Sequence, residues 1–175
     1  TLVKFTLPEL KDSDMVVKAQ LSLALYHKSF YTTTMEDQQI DAHYITGEWN
    51  ISSVTWNNKP GYNSIVQDYS FIRQSDVEGK SNWKYFDITK VTKRWYEGDL
   101  DNNGILIKKH KEGGTEGTDA ACGYFWSEKY NDITNAYPTI LIEYRNNKGL
   151  EDQWSYSSFG AGVGGIAYVN DYTGN

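Results

Sequence analysis

Apolar side chains occupy every second position from Val17 to Leu25. Val17, Ala19, Leu21, Leu23 and Leu25 fall on one side, with Lys18, Gln20, Ser22, Ala24 and Tyr26 between them. A period of two predicts a long strand with one face against a core. Shorter copies occur at Val3, Phe5 and Leu7, at Ile40, Ala42 and Tyr44, at Ile105 and Ile107, and at Ile140, Ile142 and Tyr144, each bounded by turn residues. Several such strands, separated by turns such as Asn57-Asn58-Lys59-Pro60-Gly61 and Asp101-Asn102-Asn103-Gly104, predict an all-β fold, an antiparallel sandwich, rather than a βαβ sheet. Leu21, Leu23, Ile140 and Ile142 are expected in its core.

One segment breaks the alternation. Ile88, Val91 and Trp95 stand at i, i+3 and i+7, with Asp87 or Thr89 placed to cap the start, Lys93 and Arg94 in the last turn and Gly98 as the stop. This spacing predicts one short capping helix near residues 88–97. Residues 112–118 are Gly-rich and polar, as suits an exposed loop. The composition shifts after Arg145 towards Gly, Ser and Tyr. Residues 1–145 are therefore read as the sandwich and 146–175 as a C-terminal extension, with Gly160 to Gly165 as a hinge.

A chain of 175 residues is long enough to bury a core without a disulfide or metal. Its net charge of -6 argues against nucleic acid or anionic lipid as the main partner, since a phosphate surface attracts a basic face. The single Cys122 excludes an internal disulfide. No apolar run reaches the length of a membrane-spanning helix, so no membrane partner is expected. Aromatic residues make up 15% of the chain, including 14 Tyr and 6 Trp. Such rings suit sheet surfaces, sugar faces and protein partners alike.

The order of the aromatic punctuation is itself informative. It runs Ser53-Val54-Thr55-Trp56-Asn57-Asn58-Lys59-Pro60, then Trp83 with Phe86-Asp87-Ile88-Thr89 and Val91 to Trp95, then Asn102-Asn103-Gly104-Ile105, then Phe125-Trp126-Ser127-Glu128, then Pro138 to Tyr144. This series resembles the DNRLRE domain family over Leu2 to Tyr144. The resemblance implies a jelly-roll-like β-sandwich related to carbohydrate-binding modules, carried in large secreted or cell-surface proteins of bacteria and archaea. It also implies that Trp56, Trp83 and Trp95 pack in the structural core. Gly149 to Tyr156 and Tyr168 to Asn175 resemble the lead-in to Rhs/YD-repeat shells, which implies a wall-associated or toxin-delivering parent. Members of the DNRLRE family carry one or two strands ahead of the segment matching Leu2 to Leu7. The resemblance therefore implies either a trimmed fragment or a donated strand, or another part of the parent chain, closing the N-terminal edge.

Catalytic patterns are sparse. His27, His43 and His110 lie on separate expected strands without the spacing of a metal site, and there is no GxSxG elbow. Cys122 reads as a small buried hydrophobe, and Glu128 as an acceptor for a turn backbone. Gly160, Gly162 and Gly165 satisfy GxGxxG, but Ile166-Ala167-Tyr168-Val169 reads as strand where a dinucleotide site needs a helix. Asp99, Asp101 and Asn103 open like a calcium loop, although His110 stands where a bidentate Glu belongs. They are the candidate site for a structural Ca²⁺, and no other cofactor is expected.

Sugar recognition needs aromatic faces beside hydroxyl-bonding side chains. Tyr62 with Asn63, and Tyr130 with Asn131 and Asp132, are the expected ligand-binding groups. The expectation is a non-catalytic extracellular module, not an enzyme, that binds polysaccharide or cell-wall glycan. The alternative is a structural plug of an Rhs-type shell with no glycan ligand.

Overall fold

A computed structural model describes residues 1–11, 14–29, 37–55, 57–77, 82–110, 122–125, 136–145, 151–158 and 167–172. The strands are β1 (Leu2–Val3), β2 (Met15–Ser29), β3 (Gln38–Tyr44), β4 (Asp68–Ile72), β5 (Trp83–Asp87), β6 (Ile105–Lys109), β7 (Cys122–Phe125), β8 (Thr139–Arg145), β9 (Glu151–Ser158) and β10 (Ala167–Tyr172). One helix, α1 (Thr89–Tyr96), separates β5 from β6. Four strands form one antiparallel sheet in the order β1-β6-β3-β4. The other sheet runs β10-β9-β8-β2-β5, with β7 beside the second half of β2. The all-β sandwich expected from the alternation is thus the observed architecture.

The two sheets share one apolar interior. Val3, Phe5, Ile40, Ala42, Ile72, Ile105 and Ile107 enter it from the first sheet and its approaches. Ala19, Leu21, Leu23, Leu25, Phe86, Ile140 and Ile142 enter from the second. Leu21, Leu23, Ile140 and Ile142 are fully buried, and Trp95 packs against the cluster from the helix. Trp83 is half-buried and alternates along β5 with the buried Lys84 and Phe86. Trp56 lies outside the described residues.

The first turn of β2 departs from strict alternation. Its register against β8 shifts between Val16 and Lys18, an irregularity that exchanges the two faces of the strand. Val16 is therefore the buried valine, at 7% exposure, and Val17 faces outward at 40%. The long alternating run of the sequence continues one residue too far because a bulge leaves no mark in hydropathy.

Helix α1 grows directly out of β5. Its capping residue is Ile88, not Asp87 or Thr89, yet both polar neighbours are used. The Asp87 carboxylate accepts from the Thr89 N–H at 2.8 Å. The Thr89 hydroxyl accepts from the Ala19 N–H at 2.9 Å, satisfying β2 where β5 has ended. Burial opposes the Asp87 charge, but Thr89 with Lys18 and Lys90 outweighs it and holds the carboxyl below its ordinary range. Gly98 ends the helix with φ +77°.

Two further devices fix the frame. Between β4 and β5 the chain passes from one sheet to the other, and there the Lys84 ammonium meets Asp76 at 2.6 Å, with only 5% and 10% of the two side chains exposed. At the entry to β6, Gly104 adopts φ +89°, and a Cβ on it would lie 2.2 Å from the Val3 carbonyl oxygen. Glycine is required there both by the left-handed backbone and by the closeness of β1. Among the described residues no helix is long and apolar enough to cross a membrane.

Candidate functional site

The outward face of the four-stranded sheet is built by the same alternation that fills the core. Along β3, Ile40 and Ala42 point inward, so Gln39, Asp41 and His43 take the other face. The register then decides their neighbours. Phe71 lies opposite Gln39, Tyr69 and Lys108 lie on either side of Asp41, and Leu106 lies opposite His43. With strands about 4.8 Å apart and same-face residues about 7 Å apart along each strand, these side chains form three adjoining rows.

Asp41 anchors the middle row. It is 2% exposed, and a buried carboxylate has to be satisfied. Its Oδ1 accepts from the Gln39 amide at 2.8 Å, and its Oδ2 accepts from His110 Nδ1 at 2.6 Å. His43 Nε2 stands 4.0 Å from the same oxygen. His43 is buried and donates from Nδ1 to the Asn63 carbonyl at 2.9 Å. The His110 N–H in turn donates to the Gln39 carbonyl at 3.0 Å, which carries the β3–β6 pairing one residue past the strand and sets His110 beside Asp41.

Aromatic rings flank this polar centre. Tyr62 is placed by a bridge to Ile45 and by bonds from Thr46 N–H to Gly61 and from Asn63 N–H to Tyr44. Its ring leans on His43 at 5.1 Å and 59°, and the Lys108 ammonium lies 5.9 Å from the ring centre. On the far side Tyr69 is 54% exposed. It meets Phe71 edge to face at 5.8 Å, while the Arg73 guanidinium lies 5.6 Å over Phe71 and pairs with Asp37 at 3.4 Å. Exposed ring faces beside fixed donors and acceptors are the chemistry that stacks sugar C–H groups and bonds hydroxyls.

Of the sequence-derived ligand residues, Tyr62 belongs to this face. Asn63 adjoins it, but its side-chain oxygen accepts from the Ile65 N–H at 2.8 Å and so closes a local turn. Tyr130, Asn131 and Asp132 lie outside the described residues, as does Glu128. Asn58, from the Trp56 signature, serves its own loop: it accepts from Thr55 and donates to the Ser53 carbonyl. At the expected calcium turn Asp99 lies 3.9 Å from Arg94, and Asp101 is exposed. Asn103 is buried there, with its carbonyl accepting from Trp49 Nε1 at 2.7 Å. Among the described residues no group of three or more His, Cys, Asp or Glu side chains is arranged to hold a metal ion.

Gln39, Asp41, His43, Tyr69, Phe71, Lys108 and His110 were not expected at a site. Their signal was present as ionisable and aromatic residues at the outward positions of strands whose inward positions are Ile and Ala. The pairing of β3 with β6 across more than sixty residues of chain brings them together.

The model of carbohydrate-binding module family 96 matches residues 1–121, a span that contains all four strands of this sheet. No curated protein matches the chain.

Proposed function

The chain belongs to carbohydrate-binding module family 96, a class of non-catalytic domain, and from that premise we propose that it binds a polysaccharide on the outward face of the β1-β6-β3-β4 sheet. The observation that carries this reading is Tyr69, a large ring left more than half exposed in mid-strand, in register with a buried and fully bonded Asp41. A solvent-facing tyrosine beside an organised polar row offers a stacking platform and fixed hydroxyl partners together. Tyr62 and Phe71 flank it, and Lys108 and Arg73 supply cationic donors at the margins.

The wider setting belongs to the same proposal. The five ordered signatures and the tail segments support a module of DNRLRE type within a large secreted or cell-surface protein of Rhs type, where glycan binding would serve cell-wall adhesion. β1 is an edge strand of two residues, and no described strand pairs with its outer side. A strand from elsewhere in the parent, added there, would cover that edge.

The test is affinity electrophoresis and calorimetry against soluble polysaccharides with Tyr69→Ala and Tyr62→Ala. Tyr85→Ala, an equally exposed tyrosine on the other sheet, is the control. Loss of the Tyr69 ring is expected to weaken binding about tenfold, the equivalent of about 1.4 kcal/mol, with Tyr85→Ala unchanged. Retention of no polysaccharide at millimolar concentration, or sensitivity to Tyr85 in place of Tyr69, would reject the reading.

A further inference from the structure

Asp41 spends a buried charge on a histidine whose side chain is 46% exposed. That arrangement does more than satisfy a carboxylate. An ionised carboxylate only accepts hydrogen bonds, so at 2.6 Å the proton of the contact sits on His110 Nδ1. With Nδ1 protonated, the neutral tautomer of the ring carries its lone pair on Nε2, and Nε2 has no partner among the described residues. Gln39 reinforces the choice. Its amide donates to Asp41 Oδ1 at 2.8 Å and only approaches His110 Nδ1 at 3.3 Å, a nitrogen with no lone pair left to accept. His43, donating to the Asn63 carbonyl through Nδ1, closes the other side of Asp41.

The polar groups that lie against the aromatic rings of this face are donors: the Lys108 ammonium, on the same face of β6 two residues earlier, and the Arg73 guanidinium, which the Asp37 carboxylate pairs with at 3.4 Å. We propose that His110 is a hydrogen-bond acceptor of the binding face, accepting on Nε2 the hydrogen bond of a sugar hydroxyl, and that Asp41 is the positioning residue that holds its tautomer and ring orientation. The inference rests on the glycan-binding reading of the same face and assigns one of its subsites. A tautomer fixed from behind by a buried carboxylate makes the outward nitrogen an acceptor of defined direction.

Asparagine and glutamine separate this role from a structural one. His110→Asn can keep a donor where Nδ1 was, so Asp41 stays bonded, but it has no atom at the Nε2 position. His110→Gln can place an amide oxygen near Nε2 while giving up the bond to Asp41. Affinity is measured by calorimetry against a panel of glucose, mannose, xylose, N-acetylglucosamine and uronic acid oligosaccharides. ¹⁵N spectra of the histidine rings are recorded with and without the oligosaccharide that binds. The expected result is about tenfold weaker binding for His110→Asn, a smaller loss for His110→Gln, an unprotonated Nε2 in the free protein and a shift of that resonance on binding. Wild-type binding retained by His110→Asn and lost in His110→Gln, or a proton found on Nε2, overturns the proposal while wild-type binding and its dependence on Tyr69 leave the face intact. If the wild-type chain binds no oligosaccharide of the panel, the face and its acceptor fall together.

Discussion

Replacing Gly104 by alanine separates two costs that are usually confounded. The backbone cost alone can be measured at Gly98, which has φ +77° and nothing within 4 Å of an added Cβ. Holding alanine in that left-handed region costs about 1–2 kcal/mol, partly offset by about 0.4–1 kcal/mol from a stiffer unfolded chain. Gly98→Ala should therefore lower stability by about 1 kcal/mol. Gly104 has a similar backbone at φ +89°, but its added Cβ would meet the Val3 carbonyl oxygen at 2.2 Å and Lys4 at 3.1 Å. Relief of that clash requires β1 to withdraw by about 1 Å, which loosens Val3 and Phe5 in the core. Full burial of such side chains stabilises by about 1.5–3 kcal/mol each, and losing about half of that for both adds about 1.5–3 kcal/mol. Gly104→Ala is thus expected to cost about 2.5–4 kcal/mol, at least twice the Gly98 value. Urea unfolding followed by tryptophan fluorescence, with equal m-values for the variants, measures both. Hydrogen exchange at the Ile107 N–H, which donates to the Thr1 carbonyl, should quicken in Gly104→Ala alone. Losses within about 0.5 kcal/mol of each other would refute the clash as the dominant cause.

Three further outcomes rest on local features. At β2, Val16→Thr should cost about 1–2 kcal/mol for a buried hydroxyl while Val17→Thr stays within about 0.5 kcal/mol, and chemical denaturation distinguishes the bulged register from strict alternation. Burial opposes the Asp76 charge, but the Arg73 N–H, the Lys84 ammonium and Asn82 together hold its carboxyl below the ordinary range. Its stabilisation is complete above the ordinary carboxylate pKa and disappears as pH falls through the lower folded value, so Asp76→Asn should cost about 3 kcal/mol at neutral pH and flatten the acid limb of a stability profile. The Tyr96 phenol donates to the Pro8 carbonyl at 3.0 Å and is pushed well above its usual pKa, first by burial and then by Tyr144. Tyr96→Phe should cost about 1 kcal/mol in thermal unfolding, and the loss of stability that begins above the ordinary tyrosine pKa should be smaller in the variant.

The sandwich was legible because burial imposes a period of two, and Leu21, Leu23, Ile140 and Ile142 lie where that period put them. The helix was legible from its three apolar positions, though the capping residue was one place away, since Asp87 and Thr89 both act at the junction without being the cap. The inversion at Val16 and Val17 was not legible, because one extra residue in a strand has no compositional signature. The binding face was half legible. Tyr62 stood out as an aromatic off the alternation, whereas Asp41, His43 and His110 looked unrelated along the chain. Their convergence depends on which strands pair and in what register, and that is decided by the whole interior rather than by any window of sequence.

The place of β2 carries a consequence for how the protein is made. It is the 15-residue strand to which β5, β7 and β8 all attach, yet Leu21 finds its neighbour Ile140 only after the long stretch of chain between them has been synthesised. On the ribosome this greasy ribbon leaves the exit tunnel well before β8 and waits for a partner encoded far downstream. Closing so wide a loop is slow. Recombinant yield should therefore depend on how well that interval is bridged, rising at low temperature or with holdase chaperones and collapsing for truncations that stop short of β8.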